Sequence, residues 1–367
     1  MEYGEFFGSI EDKKIFNTTG ICNEKKHYMV NIDSKLKKIV KLVQEEKYFV
    51  INRPRQYGKT TTLNKLDKIL RSRYVVIKIN FEGMDSEFEN EKRFCKRLIE
   101  EFENELKIEL EKVDSIYLLS KLIQKISLDK EIVLIIDEVD RASNNELFLE
   151  FLGMLRALYL AREMDDKKTF KAVILAGVHD IKNLKLKFRE EKEIRYNSPW
   201  NIAADFKVDM SFNEKEIESM IIEYAEENKL NIDTEKISKE IYKFTSGYPF
   251  LVSRICKIID EDILKDKNTI WKEIHIQRAV KIILEENNTL FDDLIKNIQN
   301  NKELREYLYN ILVLNTPSIF NIDNPVISLG FMYGYLDKDE DNNVVISNRI
   351  IKERIYNNLI SRVETRL

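Results

Sequence analysis

The sequence predicts an α/β protein: a parallel sheet in the first 210 residues, then helices, then a small helix-and-hairpin tail. Three observations carry this. Four short, nearly continuous apolar runs, YFVIN (48–52), YVVIKIN (74–80), EIVLIID (131–137) and FKAVILAG (170–177), are rich in β-branched residues, as strands covered on both faces are. Helical stretches separate them, so each return is a crossover, and crossovers give parallel pairing. Composition agrees: 43% of the 367 residues are apolar and 34% charged, with only 10 Gly and 5 Pro, which suits a helix-rich chain with short connections.

In chain order, the strand 48–52 leads into a helix over 59–71. YVVIKIN follows, then helices over 87–110 and 114–128, the strand 131–137, and a helix over 145–163. In that last helix Leu147, Phe151, Met154, Leu155 and Leu158 recur at three- and four-residue spacing and form one apolar stripe. After FKAVILAG, the run DFKVDM (205–210) alternates in polarity, so an edge strand is expected there, the fifth of the sheet. From Ser211 the pattern turns helical: Asn213 suits a cap, and Glu214 and Glu216 suit the positive end of the helix dipole. Helices dominate to about 290, with Gly247 and Pro249 marking the end of one and the start of the next. Helices near 289–314 and 322–331, two short strand-like runs in YGYLDKDEDNNVVISN and a final helix from Arg349 read as a winged-helix-like domain. The expected domains are therefore 1–210, 211–288 and 289–367.

Net charge is −4, so no overall basic excess announces a nucleic-acid or anionic-membrane partner. Cys22, Cys95 and Cys256 lie far apart without C-x-x-C spacing, which argues against a disulfide framework or a zinc site. No signal-peptide pattern opens the chain, and no apolar run approaches the ~20 residues needed to span a bilayer. A cytoplasmic protein with no membrane contact is expected.

The chemistry begins at residues 52–61, NRPRQYGKTT. Phosphate-cradling loops read G-x-x-x-x-G-K-[ST]; here Gly58, Lys59 and Thr60 are intact and Arg53 holds the place of the first glycine. The triplet follows a strand and opens a helix, so backbone N–H groups point toward an anion. Gly58 lets the backbone approach phosphate, Lys59 supplies charge for the β- and γ-oxygens, and the Thr60 hydroxyl is a hard ligand for Mg²⁺. Gln56, Tyr57, Gly58, Lys59, Thr60 and Thr61 are the expected nucleotide-binding run. Pro54 biases Arg53 toward extended geometry, which removes the need for a tight bend there. Arg53 and Arg55 keep three open roles: an ion pair in the core, a γ-phosphate contact, or a partner contact.

A second motif, IVLIIDEVD (132–140), ends an apolar strand in Asp137 and Glu138, where open α/β sheets bind ligands. Asp137 is assigned to a Mg²⁺-bound water and Glu138 to catalysis, polarising the water that attacks the γ-phosphate, with Lys59 as the second catalytic group. About 77 residues, including one strand, lie between Lys59 and Asp137. That spacing fits P-loop enzymes with a strand inserted between the two motifs, and so a five-stranded sheet of order 5-1-4-3-2. His179 and Asp180, after FKAVILAG, are candidates for sensing the γ-phosphate, and Asn80 for restraining Glu138.

With these residues in place, the chain resembles bacterial and archaeal AAA-like P-loop ATPases of the STAND and origin-recognition-initiator group. KHYMVNIDSKLKKIVKLVQEEKYFVINRPRQYGKTTTL, IVLIIDEVD, VILAGVHDIKNLK with SPWNIAADFKV, and SGYPFLVSRI carry the resemblance over about residues 15–260. It implies ATP and Mg²⁺ as ligands, an adenine-covering segment around Tyr28, a lid contact from Pro249, and a lid arginine at Arg254. It also implies a protein partner or self-association, with Arg141, Arg162 and Arg189 as candidates for an arginine given to a neighbouring subunit. No acid-x-Lys signature follows residue 291, so the nuclease domain of some relatives is not expected.

Two functions compete on the sequence alone: an ATP-hydrolysing conformational switch, and an ATP-gated DNA-binding regulator or initiator that uses the winged helix. Residues 291–367 carry nine Lys/Arg against eleven Asp/Glu, and the wing turn is DKDEDNN. Phosphates would be repelled there, so the switch is preferred and DNA is disfavoured.

Overall fold

The computed structural model describes residues 13–142, 145–178, 200–264 and 269–364. His179, Asp180, Arg189 and the start of SPWNIAADFKV fall outside the described residues. By contact the chain forms two compact units, one of Asp33–Pro54 and Lys59–Asp209, the other of Met1–Ile32, Arg55–Gly58 and Met210–Leu367.

The first unit contains α1 (Asp33–Gln44), β1 (Tyr48–Asn52), α2 (Lys59–Leu70), β2 (Val75–Asn80), α3 (Glu91–Leu106), α4 (Ile116–Ile126), β3 (Ile132–Asp137), α5 (Glu146–Asp165) and β4 (Ala172–Gly177). Its four strands are parallel in the order β1-β4-β3-β2. β3 and β4 are buried at every residue, as their unbroken apolar runs require, and in β2 only Val75, Lys78 and Asn80 are less than fully buried. All five residues of the α5 stripe are buried, and each fully buried large apolar side chain contributes about 1.5–3 kcal/mol. The register sets Asn80 beside Asp137 and Asn52 beside Gly177, which gathers the strand ends carrying polar residues at one edge of the sheet.

Among the described residues the fifth strand expected at DFKVDM is not formed. Only Ala204 bridges to β1, its N–H donating to the Tyr48 carbonyl at 2.8 Å, and Asp205–Met210 makes no ladder. Side chains hold this segment instead. Phe206 stacks on Phe49, and the Arg53 guanidinium donates to the Val208 carbonyl at 2.7 Å and to the Asn52 carbonyl at 2.8 Å. The alternation of DFKVDM reflects burial of Val208 and Met210 without strand pairing.

The second unit contains α6 (Glu214–Glu227), α7 (Thr234–Thr245), α8 (Pro249–Ile258), α9 (Glu273–Glu285), α10 (Thr289–Asn300), α11 (Lys302–Leu312), α12 (Pro325–Met332), the antiparallel hairpin β5 (Leu336–Lys338) and β6 (Val344–Ile346), and α13 (Arg349–Glu364). Asn213 caps α6 through a reciprocal box with Glu216, both bonds at 2.9 Å. The helix expected over 289–314 is two helices, broken where Asn301 leaves helical geometry at φ −118°, ψ 91°. Gly247 does more than end a helix. It sits at φ +73°, and a Cβ there would lie 1.8 Å from the Phe212 carbonyl oxygen. Among the described residues no helix is long and apolar enough to cross a membrane.

Candidate active site

In the first unit the loop after β1 delivers Lys59 as the first residue of α2 and Thr60 as the second. The Thr60 hydroxyl donates to Asp137 Oδ2 at 2.9 Å, across 77 positions of chain, because the end of β3 lies beside the start of α2. Asp137 is only 1% exposed, and its other oxygen accepts the Glu138 N–H at 3.0 Å. Lys59 is also buried, and its ammonium donates to the Arg53 and Pro54 carbonyls at 2.8 and 3.0 Å. Backbone N–H groups at the α2 N-terminus add positive potential at the same place.

Glu138 has left-handed backbone, φ 56°, a conformation that costs a residue with a Cβ roughly 1–2 kcal/mol. Its carboxyl is pushed above the usual range, first by burial and then by the Asp137 charge, with Lys59 opposing. Asp140, two residues on, accepts the Val178 N–H, and a Cβ on Gly177 would come within 2.8 Å of its carboxylate oxygens. The ends of β3 and β4 are thus tied together, a contact that Asp140 of IVLIIDEVD carries and that the sequence reading left unassigned. The Asn80 carboxamide takes the Glu82 N–H at 2.9 Å. Among the described residues no hydrogen bond joins it to Glu138, so the restraint expected of Asn80 is absent.

Gly58 has φ +73°, and a Cβ added there would meet nothing within 4 Å. Its need for glycine is therefore conformational, and the space above it suits a ligand. One buried carboxylate and one hydroxyl are hard oxygen donors, the protein share that Mg²⁺ takes when phosphates and water supply the rest. Among the described residues no group of three or more His, Cys, Asp or Glu forms an all-protein metal site. The residues present thus fit a nucleotide-borne Mg²⁺.

The side chains of Gln56 and Tyr57, expected at the nucleotide, belong to the second unit. The Gln56 amide donates to Thr289 Oγ1 at 2.8 Å, and its carbonyl oxygen is buried without a partner. The Tyr57 hydroxyl meets Ser211 at 2.9 Å, and its ring lies edge-on to Tyr248 at 4.7 Å. Next to them the Tyr248 hydroxyl donates to the Arg55 carbonyl at 2.6 Å, and Arg55 pairs with Asp293 at 2.9 Å. For phosphate these residues have their backbone to give, since their side chains are engaged by Tyr248, Thr289 and Asp293. No local pattern marks those three partners in the sequence.

Tyr28, expected over the base, is 4% exposed and packed against Phe16 and Tyr224, with the Asn228 amide donating to its hydroxyl. Its side chain serves the core of the second unit. Pro249 is buried as the first residue of α8. Arg254, on the same helix, forms a two-pronged pair with Glu286, with Nε–Oε2 at 3.1 Å. Of the arginines left open, Arg53 is engaged by protein groups: besides its carbonyl bonds, its guanidinium lies 5.3 Å from the Phe206 ring centroid. Arg162 likewise donates to the Glu46, Phe170 and Lys171 carbonyls.

A lysine and a hydroxyl at the mouth of a helix after β1, facing an acid pair at the end of β3 in a β1-β4-β3-β2 parallel sheet, define the P-loop ATPase class of fold. Within it, the chain belongs to the AAA-like domain family, whose model matches residues 19–326. The chain is similar in structure to the Walker-type ATPase PABY2304 of Pyrococcus abyssi, at TM-score 0.62 and 13% identity over 93% of this chain and 99% of that one. The Aeropyrum pernix ORC2 protein aligns at TM-score 0.49 and 12% identity over 96% and 99% of the two chains. Cdc6p from Pyrobaculum aerophilum aligns at 0.44 and 13% over 94% and 98%. No curated protein matches the sequence.

Proposed function

We propose that this AAA-like ATPase binds and hydrolyses ATP with Mg²⁺ and works as a nucleotide-driven switch, with residues 1–210 as ATPase core, 211–288 as lid and 289–367 as a winged-helix-like domain. The 2.9 Å bond between the Thr60 hydroxyl and the buried Asp137 carboxylate carries the reading, because it joins the two motifs at one point. When bound, Mg²⁺ supplies charge neutralisation on the phosphates. Lys59 exchanges two loop carbonyls for anionic oxygens, which are stronger acceptors. Glu138 orients the attacking water and accepts its proton, a task its raised pKa favours.

The switch is supported by the bonds from Arg55, Gln56 and Tyr248 to their partners. A phosphate-induced change in Arg55–Gly58 must strain or release the contacts to Tyr248, Thr289 and Asp293. Arg254 is assigned a phosphate contact after it leaves Glu286, and Pro249 a contact with the base. Should copies associate, Arg141, with 54% of its side chain exposed, suits donation to a neighbour better than Arg162, 11% exposed and tied to three carbonyls. A cytoplasmic location is part of the proposal.

Binding of a fluorescent ATP analogue with Mg²⁺, together with phosphate release, tests this reading. Lys59→Ala abolishes binding, while Glu138→Gln keeps binding and loses hydrolysis. Unchanged turnover in both variants overturns it. The DNA-regulator reading gains no support from the tail: no Lys or Arg occurs between Arg305 and Lys338, the stretch that contains α12.

A further inference from the structure

The small sheet of the tail has a third member. The Phe320 N–H donates to the Asn342 carbonyl and the Val344 N–H to the Ser318 carbonyl, both at 2.8 Å, with Ile319 opposite Asn343 in antiparallel sense. These bonds flank Ile319, which makes it a non-hydrogen-bonded position of the ladder, so its own N–H and C=O point away from β6. Among the described residues neither group has a hydrogen-bond partner. The Ile319 residue is 72% exposed.

Two further features meet this edge. Ile322 and Phe331 are 51% and 44% exposed, and the Phe331 ring lies 5.5 Å from that of Phe320. The hairpin tip, bonded to Phe320 through Asn342, carries exposed Asp337, Asp339, Glu340 and Asp341, with Lys338 the one cation among them. An outward N–H and C=O pair, an apolar surface beside it and an acidic rim occur together on a stretch with no lysine or arginine from 306 to 337.

We propose that the Ser318–Phe320 edge takes up an extended segment of a partner protein by strand addition, and that this segment carries apolar residues flanked by lysine or arginine. Main-chain hydrogen bonds to Ile319 give the segment its register. Apolar side chains on it cover Ile319, Ile322 and Phe331, and its cations answer the acidic tip, which repels acidic peptides and nucleic acid alike. Pro317 precedes the edge and keeps it short, which suits one docked segment and resists open-ended sheet growth. The proposal stands apart from nucleotide chemistry and does not depend on it.

A random 12-residue peptide library displayed on phage is depleted on the full chain carrying Ile319→Pro and then panned on the unaltered chain. Ile319→Pro deletes the outward N–H while leaving the flanking bonds to Asn342 and Val344. The expected consensus is apolar with Lys or Arg and without Asp or Glu. The selected peptide, labelled and measured by fluorescence anisotropy, should lose at least tenfold in affinity for Ile319→Pro and, separately, for Glu340→Lys/Asp341→Lys. Circular dichroism checks that both variants remain folded. Failure to enrich any peptide, an acidic or uncharged consensus, or undiminished binding to the charge variant overturns the proposal. So does displacement of the peptide by a 20-base-pair DNA duplex, which would make this edge a nucleic-acid contact.

Discussion

Arg53→Gly restores the first glycine of the phosphate-loop pattern, and the structure says the change should harm stability while sparing nucleotide affinity. The guanidinium gives one charged hydrogen bond to the Val208 carbonyl at 2.7 Å and lies over Phe206 at 5.3 Å. A hydrogen bond from a charged group contributes about 1.5–3 kcal/mol and the ring contact about 0.5–1 kcal/mol. Together they predict a loss of about 2–4 kcal/mol, or a fall of about 1–2 M in urea midpoint at an ordinary denaturant dependence. The two tryptophans make the assay specific to one unit. Trp200, fully buried, reports the sheet unit, and Trp271→Phe removes the other signal. The Arg53 main-chain carbonyl, which the substitution keeps, is what accepts from Lys59, so affinity for a fluorescent ATP analogue should stay within about threefold, far below the tenfold that ~1.4 kcal/mol represents. An unchanged midpoint with a tenfold loss of affinity would refute this reasoning and make Arg53 a phosphate ligand.

Two other outcomes follow from the geometry. Gly247→Ala puts a Cβ 1.8 Å from the Phe212 carbonyl oxygen at φ +73°, so the second unit should lose more than about 3 kcal/mol, read as a lowered melting transition by Trp271 fluorescence. Glu105 accepts two bonds from Arg71, at 2.7 and 3.0 Å, and that guanidinium holds its carboxyl below the usual carboxylate range. Because the folded pKa is depressed, its stabilisation is present above the unfolded pKa and lost as pH falls through the folded one. Urea unfolding of Glu105→Gln should therefore show a deficit of about 0.5–1 kcal/mol at neutral pH, allowing for solvent screening of a partly exposed pair. That deficit closes in acid.

What the sequence revealed and what it hid have physical reasons. The four strands and the start of α2 were legible because burial on both faces leaves an unbroken apolar run, and because Gly58, Lys59 and Thr60 are chemically distinctive. Asp137 and Glu138 were legible because acids rarely end a fully buried strand. DFKVDM misled because alternation records which side chains are buried, and here Arg53 and Phe206 take the place of a backbone ladder. The side-chain partners of Gln56 and Tyr57 were hidden for a related reason: their place in the motif speaks for the backbone, while their side chains answer to Thr289, Ser211 and Tyr248, more than 150 positions away. Asn80 offered a plausible restraint on Glu138, but its carboxamide oxygen accepts the Glu82 N–H two residues on, a local turn contact that the sequence does not announce.

The anchoring of Arg55 and Gln56 has a consequence for how the molecule is made. Synthesis proceeds from the N-terminus, so β1 and α2 leave the ribosome some two hundred residues before Thr289 and Asp293. A nascent chain can assemble its sheet while this loop still lacks the side chains that hold it in the finished protein. The loop acquires its final set of bonds only once α10 has been translated, which ties readiness of the phosphate loop to synthesis of a helix more than two hundred residues downstream.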